Sequence, residues 1–151
     1  MRAVTIETFG STGDLVVRER SDVVAGPGEV VVEIRAAALN RRDVRVISGG
    51  WPGCEAPLVP GSDGCGVVRS LGAGARGVAI GDEVVICPSL GWGDDIAQHG
   101  PEFRILGGPD DGTFAEQVRV PAQNVFPKPR RLTVEQTAAL PLAGLTMWRA
   151  L

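Results

Sequence analysis

Apolar and polar positions alternate through most of the first 126 residues. MRAVTIE, residues 1–7, alternates as a half-buried strand does, with successive side chains on opposite faces. LVVRER, residues 15–20, predicts a second strand. Gly26-Pro27-Gly28 predicts a turn. EVVVEIRAAAL then predicts the clearest strand, with Val30, Val32 and Ile34 on one face and Glu33 and Arg35 on the other. NRRDVRVISG reads as a short helix capped by Asn40 and closed by Gly49-Gly50. GVVRSL, DEVVI, TFAEQVRV and NVF predict further strands. From Pro88 to Gly112 no period is visible, and a segment of that length points to a functional or mobile loop.

The pattern changes at Pro127-Lys128-Pro129. TVEQTAALPLAGLTMWRAL is rich in Ala and Leu, and Thr133 with Gln136 fits a capping box at a helix start. Pro141 predicts a break or kink, with a second helix running on to Leu151. The apolar face of that helix finds no partner in the sequence. The expectation is that the chain is the first part of a longer one.

Composition narrows the class. Gly 21 and Pro 11 among 151 residues, with short Val-rich runs, favour many short strands joined by tight turns. A hydrophobic content of 44% and a charged content of 22% exclude a disordered chain. A net charge of −3 with scattered basic residues argues against nucleic acid or an anionic membrane as partner. No apolar run approaches the roughly 18 residues of a membrane span. Cysteines at 54, 65 and 87 form no C-x-x-C and leave one unpaired, which suits a reducing, cytoplasmic setting.

Several motifs offer chemistry. Gly72-Ala73-Gly74-Ala75-Arg76-Gly77 matches G-x-G-x-x-G, but VAIGDEVVI follows and leaves no room for the helix a pyrophosphate cradle needs. It reads as a glycine-rich loop between strands. Cys54, Cys65, Cys87 and His99 lack the close pairing of a structural zinc site, so the cysteines read as small buried hydrophobes. There is no G-x-S-x-G, and His99 is the only base of its kind for a nucleophile. Asp94-Asp95 and Asp110-Asp111 read as solvated loop pairs. The stretch PLVPGSDGCGVV poses the sharpest question, because it sets Ser62 and Asp63 among small residues between apolar runs.

Four ordered segments resemble the N-terminal part of the medium-chain dehydrogenase/reductase superfamily, in particular its zinc-free quinone oxidoreductase-like branch. They are AAALNRRDVRVISG, PLVPGSDGCGVV, RSLGAGARGVAIGDEV and GTFAEQVRVPAQNVFPKPRRLTVEQTAALPLAGLTMWRAL. The resemblance implies a mainly β, GroES-like catalytic domain over residues 1–130, a partly open barrel with short helices. Residues 131–151 would then open a Rossmann-type nucleotide-binding domain. Zinc-dependent relatives carry their first metal cysteine at the position of Asn40, and a histidine then a glutamate at Ser62 and Asp63. The implied chemistry is therefore metal-free hydride transfer from NADPH or NADH to a quinone, enone or related carbonyl compound.

The same resemblance implies that Asn40, Asp43, Ser62 and Asp63 serve catalysis, while Arg41 meets the cofactor's pyrophosphate and Thr146 its nicotinamide. No metal ligand is expected. Simpler roles stand beside these: Asn40 as a helix cap, Arg41 and Arg42 as a solvated helix face, Asp63 as a turn residue, and Thr146 as a helix residue bonding back to a carbonyl. Arg42 replaces the small hydroxyl residue of the zinc enzymes, so their proton relay is not carried over. The intact protein is expected to form homo-oligomers, and the 151-residue chain alone to be inactive. Two other readings remain: a zinc-dependent alcohol dehydrogenase with unusual ligands, and a standalone GroES-like binding module.

Overall fold

A computed structural model describes all of residues 1–151. Nine strands form in chain order: β1 (Arg2–Ile6), β2 (Leu15–Glu19), β3 (Glu29–Ala38), β4 (Asp63–Leu71), β5 (Glu83–Ile86), β6 (Ser89–Leu90), β7 (Arg104–Ile105), β8 (Gln117–Pro121) and β9 (Val125–Pro127). Three helices accompany them: α1 (Arg41–Ile47) between β3 and β4, then α2 (Val134–Ala138) and α3 (Pro141–Ala150) at the end. The predicted strands are present, although TFAEQVRV shortens to a strand that begins at Gln117. The segment without period holds the two-residue pair β6–β7, too short to show alternation. Pro141 does separate two helices, standing at the first turn of α3, where a missing N–H costs nothing.

Five antiparallel strands make the main sheet, in the order β8-β3-β4-β5-β9. Pro121 and Val125 stand on its two edges yet lie four positions apart in the chain, a reach of at most about 15 Å. The edges of a flat sheet of that width would lie about 19 Å apart. The sheet must therefore curl toward closure. Its edges do not pair with each other, so the barrel stays open.

The curl encloses the core. Val30, Val32, Val68, Val84, Ile86 and Val120 are buried on the inner face, with Leu90 and Leu106 from the long loop. Two register shifts in the β3–β4 pair press the backbone of Glu33 against Gly66, where an added Cβ would lie 2.0 Å from the Glu33 carbonyl oxygen. A second cluster, Ile6, Val46, Ile47 and Leu58, seats α1 against the β1–β2 ribbon side. The Gly72–Gly77 stretch is a loop with no helix after it. Gly72 is there because a Cβ would meet the Gly26 carbonyl oxygen at 1.7 Å.

Core truncation should follow this division. Ile86→Ala, at a fully buried position, should lower the unfolding free energy by about 3 kcal/mol in a urea titration. Ile96→Ala, at a side chain 85% exposed, should change it by less than about 0.5 kcal/mol. Equal losses at the two positions would contradict this core.

Candidate active-site cleft

The β3–β4 register sets the site. Ala38 faces Asp63 across the ladder, so Asn40, two residues beyond, arrives beside the Asp63 side chain. Asn40 Nδ2 donates to Asp63 Oδ2 at 3.0 Å. The other oxygen, Oδ1, accepts the Leu142 N–H at 2.9 Å, tying α3 to the sheet. Thr113 Oγ1 donates to the Asp63 carbonyl oxygen at 2.8 Å. Asp63 is thus no turn residue. It opens β4, is 1% exposed, and bonds to three distant segments.

Asp43 supports the same corner from within α1. Its Oδ2 accepts the Asn40 N–H at 2.6 Å, the return arm of a capping box. Asn40 precedes α1 with extended backbone, as a cap residue should, while one N–H of its Nδ2 donates to Asp63. Asp43 Oδ1 is buried without a hydrogen-bond partner.

Ser62 lies on the other side of this corner, fully buried, and donates from Oγ to the Leu106 carbonyl oxygen at 2.8 Å. The glycines around it are needed because Pro60–Asp63 packs backbone to backbone on the loop before β8. A Cβ on Gly112 would lie 2.0 Å from the Gly61 carbonyl oxygen. Three backbone hydrogen bonds, Gly112 to Val59, Thr113 to Gly61 and Phe114 to Pro60, close that seam. The polar groups of PGSDGCG sit in a tight backbone because two segments meet there edge to edge.

Arg42 departs most from expectation. It is not a solvated helix residue but is 7% exposed. Its Nη1 makes three long donations, to Ser62 Oγ at 3.3 Å and to the carbonyl oxygens of Leu106 and Gly107 at 3.4 Å each. Its Nη2 donates to the Gly108 carbonyl oxygen. The guanidinium carbon lies 4.4 Å from the centre of the Trp51 ring, within cation–π range. No carboxylate lies within ion-pair distance, and Nε is buried without a partner. The sequence signal that was available is its place in the first turn of a helix, where a cation opposes the helix dipole.

Arg41 and Thr146 are both exposed, and with Arg42, Arg45 and Trp51 they line one cavity of about 430 Å³ between α1 and α3. Thr146 Oγ1 donates to the Leu142 carbonyl oxygen at 2.7 Å, the back-bonding expected of a helical threonine. Its oxygen remains free to accept. Of the loop aspartates, Asp94 and Asp95 are exposed, whereas Asp110 pairs with Arg104 at 2.6 Å and Asp111 with Arg20 at 3.0 Å. The second pair is therefore structural, not simply solvated.

Burial pushes the Asp63 carboxyl above the ordinary aspartate range; the Asn40 and Leu142 donors pull it back, and the nearby Asp43 charge adds to the rise. Burial likewise raises Asp43, against the Asn40 N–H, the Arg42 charge and, more weakly, the Gly61 N–H, which lies near Oδ1 without the geometry of a full hydrogen bond. Desolvation lowers Arg42.

The donors do not suit a catalytic zinc ion. No three His, Cys, Asp or Glu side chains converge anywhere in the chain. Both oxygens of Asp63 are engaged, Ser62 gives its proton to a carbonyl, and a guanidinium stands 3.3 Å from the Ser62 oxygen, where it would repel a divalent cation. His99 stacks on Phe103 with ring centroids 4.8 Å apart, away from this corner.

A carboxyl whose pKa rises on folding stabilises the fold fully at low pH and loses that contribution as pH climbs from the unfolded to the folded value. Wild type should therefore lose stability relative to Asp63→Asn as pH is raised above the ordinary aspartate range. Urea titrations of both proteins at a series of pH values measure the difference. A difference that grows in favour of wild type with rising pH would contradict the buried carboxylate.

Comparison with known proteins agrees with this architecture. The family model of the alcohol dehydrogenase GroES-like domain matches residues 26–130. A zinc-type alcohol dehydrogenase-like protein of Schizosaccharomyces pombe is 36% identical over 126 residues, covering 83% of this chain and 36% of the relative. The crystal structure of an NAD-dependent alcohol dehydrogenase superposes with a TM-score of 0.93 at 42% identity, covering 99% of this chain and 46% of that one. The quinone oxidoreductase of Coxiella burnetii superposes with a TM-score of 0.82 at 26% identity, covering 99% and 44%. The chain spans less than half the length of each of these proteins. By the domain model, the fold and these relatives together, the chain belongs to the alcohol dehydrogenase GroES-like domain family of the medium-chain dehydrogenase/reductase superfamily.

Proposed function

We propose that this chain is the catalytic-domain side of an NAD(P)H-dependent reductase that transfers hydride to a quinone, enone or related carbonyl compound without catalytic zinc. Residues 1–130 form the catalytic domain in this reading, and residues 131–151 begin the nucleotide-binding one. The observation that carries it is the hydrogen-bonded corner of Asn40, Asp43 and Asp63, with Ser62 beside it bonded to Arg42 and the Leu106 carbonyl. By the family resemblance, Asn40, Ser62 and Asp63 stand at the positions where zinc-dependent relatives carry metal ligands. The likeness to a quinone oxidoreductase supports the substrate class.

The nicotinamide cofactor, NADPH as first choice, supplies the hydride when bound. Arg41, exposed at the mouth of the cleft, meets its pyrophosphate through paired N–H donors. Thr146, on the α3 side of the same cavity, faces the nicotinamide. Asn40 has one Nδ2–H engaged by Asp63 and a second left to donate to a substrate oxygen. Asp63 and Asp43 orient that amide, and Ser62 holds the loop wall. A fixed donor of this kind stabilises charge that develops on oxygen as hydride adds to carbon.

Two experiments test the reading. In the intact protein, Asn40→Ala should lower kcat for NADPH-dependent reduction of a naphthoquinone or cyclohexenone by roughly 100-fold, while a chelator leaves the wild-type rate unchanged. Loss of activity on chelation, restored by zinc, would favour the zinc-type reading that the Schizosaccharomyces pombe relative's name suggests. For the 151-residue chain alone, titration with NADPH followed by nicotinamide fluorescence should show only weak binding and no turnover. Tight binding would contradict the assignment of the cofactor site to a further domain.

A further inference from the structure

The cleft between α1 and α3 has a one-sided charge. Arg41, Arg42 and Arg45 line it, and no carboxylate does. None of the three is within ion-pair distance of an acid, although most other arginines of the barrel are paired. The cluster is costly locally. Arg41 and Arg45 repel each other at i, i+4 spacing, and Arg41 opens a helix at its positive end. Local disfavour of this kind, held in place by the rest of the fold, is expected at functional positions.

Arg42 is the inner member. Its partners are a hydroxyl, three backbone carbonyls and the Trp51 ring, all neutral, so its charge is solvated but not neutralised. Asp43 acts on it only through space, its carboxylate being turned to the backbone N–H groups of Asn40 and Gly61. Cys54 also lies close enough to act on Arg42, and burial pushes its thiol pKa up while the Arg42 charge pulls it down. A buried cation without a counter-ion carries a desolvation cost that a bound anion would offset. Trp51 and Ile105 give the same cavity a flat and apolar wall.

We propose that the inner end of this cleft is an oxyanion subsite for substrate, with Arg42 as its fixed cation and Trp51 as its wall, and that the substrate is a planar or apolar molecule carrying a carboxylate. The proposal deepens the reductase reading and rests on it for the word substrate. The exposed Arg41 and Arg45 meet bulkier phosphates at the mouth; Arg42, recessed behind them, reaches a smaller group. Neutral quinones would then be poor substrates beside their carboxylated counterparts.

The test needs no cofactor and no turnover, so its failure is distinguishable from failure of the reductase reading. The 151-residue chain is titrated with benzoate, benzamide and inorganic pyrophosphate, with NMR following the Arg42 Nε–H. Benzoate should bind at least about 10-fold more tightly than benzamide and move the Arg42 signal, while pyrophosphate moves only Arg41 and Arg45. Arg42→Gln should abolish the preference and Arg42→Lys keep part of it, each variant being checked for native dispersion. If Arg42→Gln does not fold, the wild-type signals decide alone. Equal binding of benzoate and benzamide, a preference that survives in folded Arg42→Gln, or an Arg42 response to pyrophosphate as large as that to benzoate would overturn the proposal.

Discussion

One buried carboxylate, Asp63, joins parts of the chain that lie far apart in sequence. It receives the Asn40 amide from the end of β3, the Leu142 N–H from α3, and through its own carbonyl the Thr113 hydroxyl. A carboxylate this deep is unfavourable unless donors surround it, and each donor it collects fixes the position of one more segment. The β3–β4 register brings the first donor, and the seam between Pro60–Asp63 and Gly112–Phe114 brings the third. Without that corner the cleft would have a floor but no fixed angle to α3.

The charges around the corner are divided by direction. The acids turn inward, to backbone and amide donors, and the cations line the cleft. Such a division leaves positive potential where a ligand enters, against repulsion between Asp43 and Asp63 and between Arg41 and Arg45. It also explains why hydroxyl and amide groups can sit beside each other at this depth. Each has its hydrogen-bond partner, and the unpartnered atoms, Arg42 Nε and Asp43 Oδ1, lie at the base of α1.

Much of the fold was legible in the sequence because it depends on local rules. Alternation in EVVVEIRAAAL, the turn at Gly26–Gly28, the cap box at Thr133 and Gln136 and the break at Pro141 are each decided by near neighbours. What stayed hidden depends on partners far along the chain. The β6–β7 pair is held across a loop, and Asp111 is committed to Arg20, 91 positions away, and to the Val59 N–H. Arg42 looked like surface because α1 is short and its inner face is defined by carbonyls at 106–108, which arrive from more than sixty residues downstream. Asn40 and Asp63 could be singled out, but not the bond between them. The glycine-rich loop could be read correctly, since its lack of a following helix is visible in sequence alone.

Leu142 offers the most direct measurement of whether Asp63 holds the cleft together. It is the second residue of α3, so its N–H has no acceptor within the helix. Amide hydrogen exchange on the wild-type chain reads that single group. A bond to Asp63 Oδ1 predicts that Leu142 exchanges far more slowly than an unprotected amide, in step with the buried strands. Exchange at the free-peptide rate would mean that α3 is not tied to the sheet by this carboxylate, and the corner described here would not exist in solution.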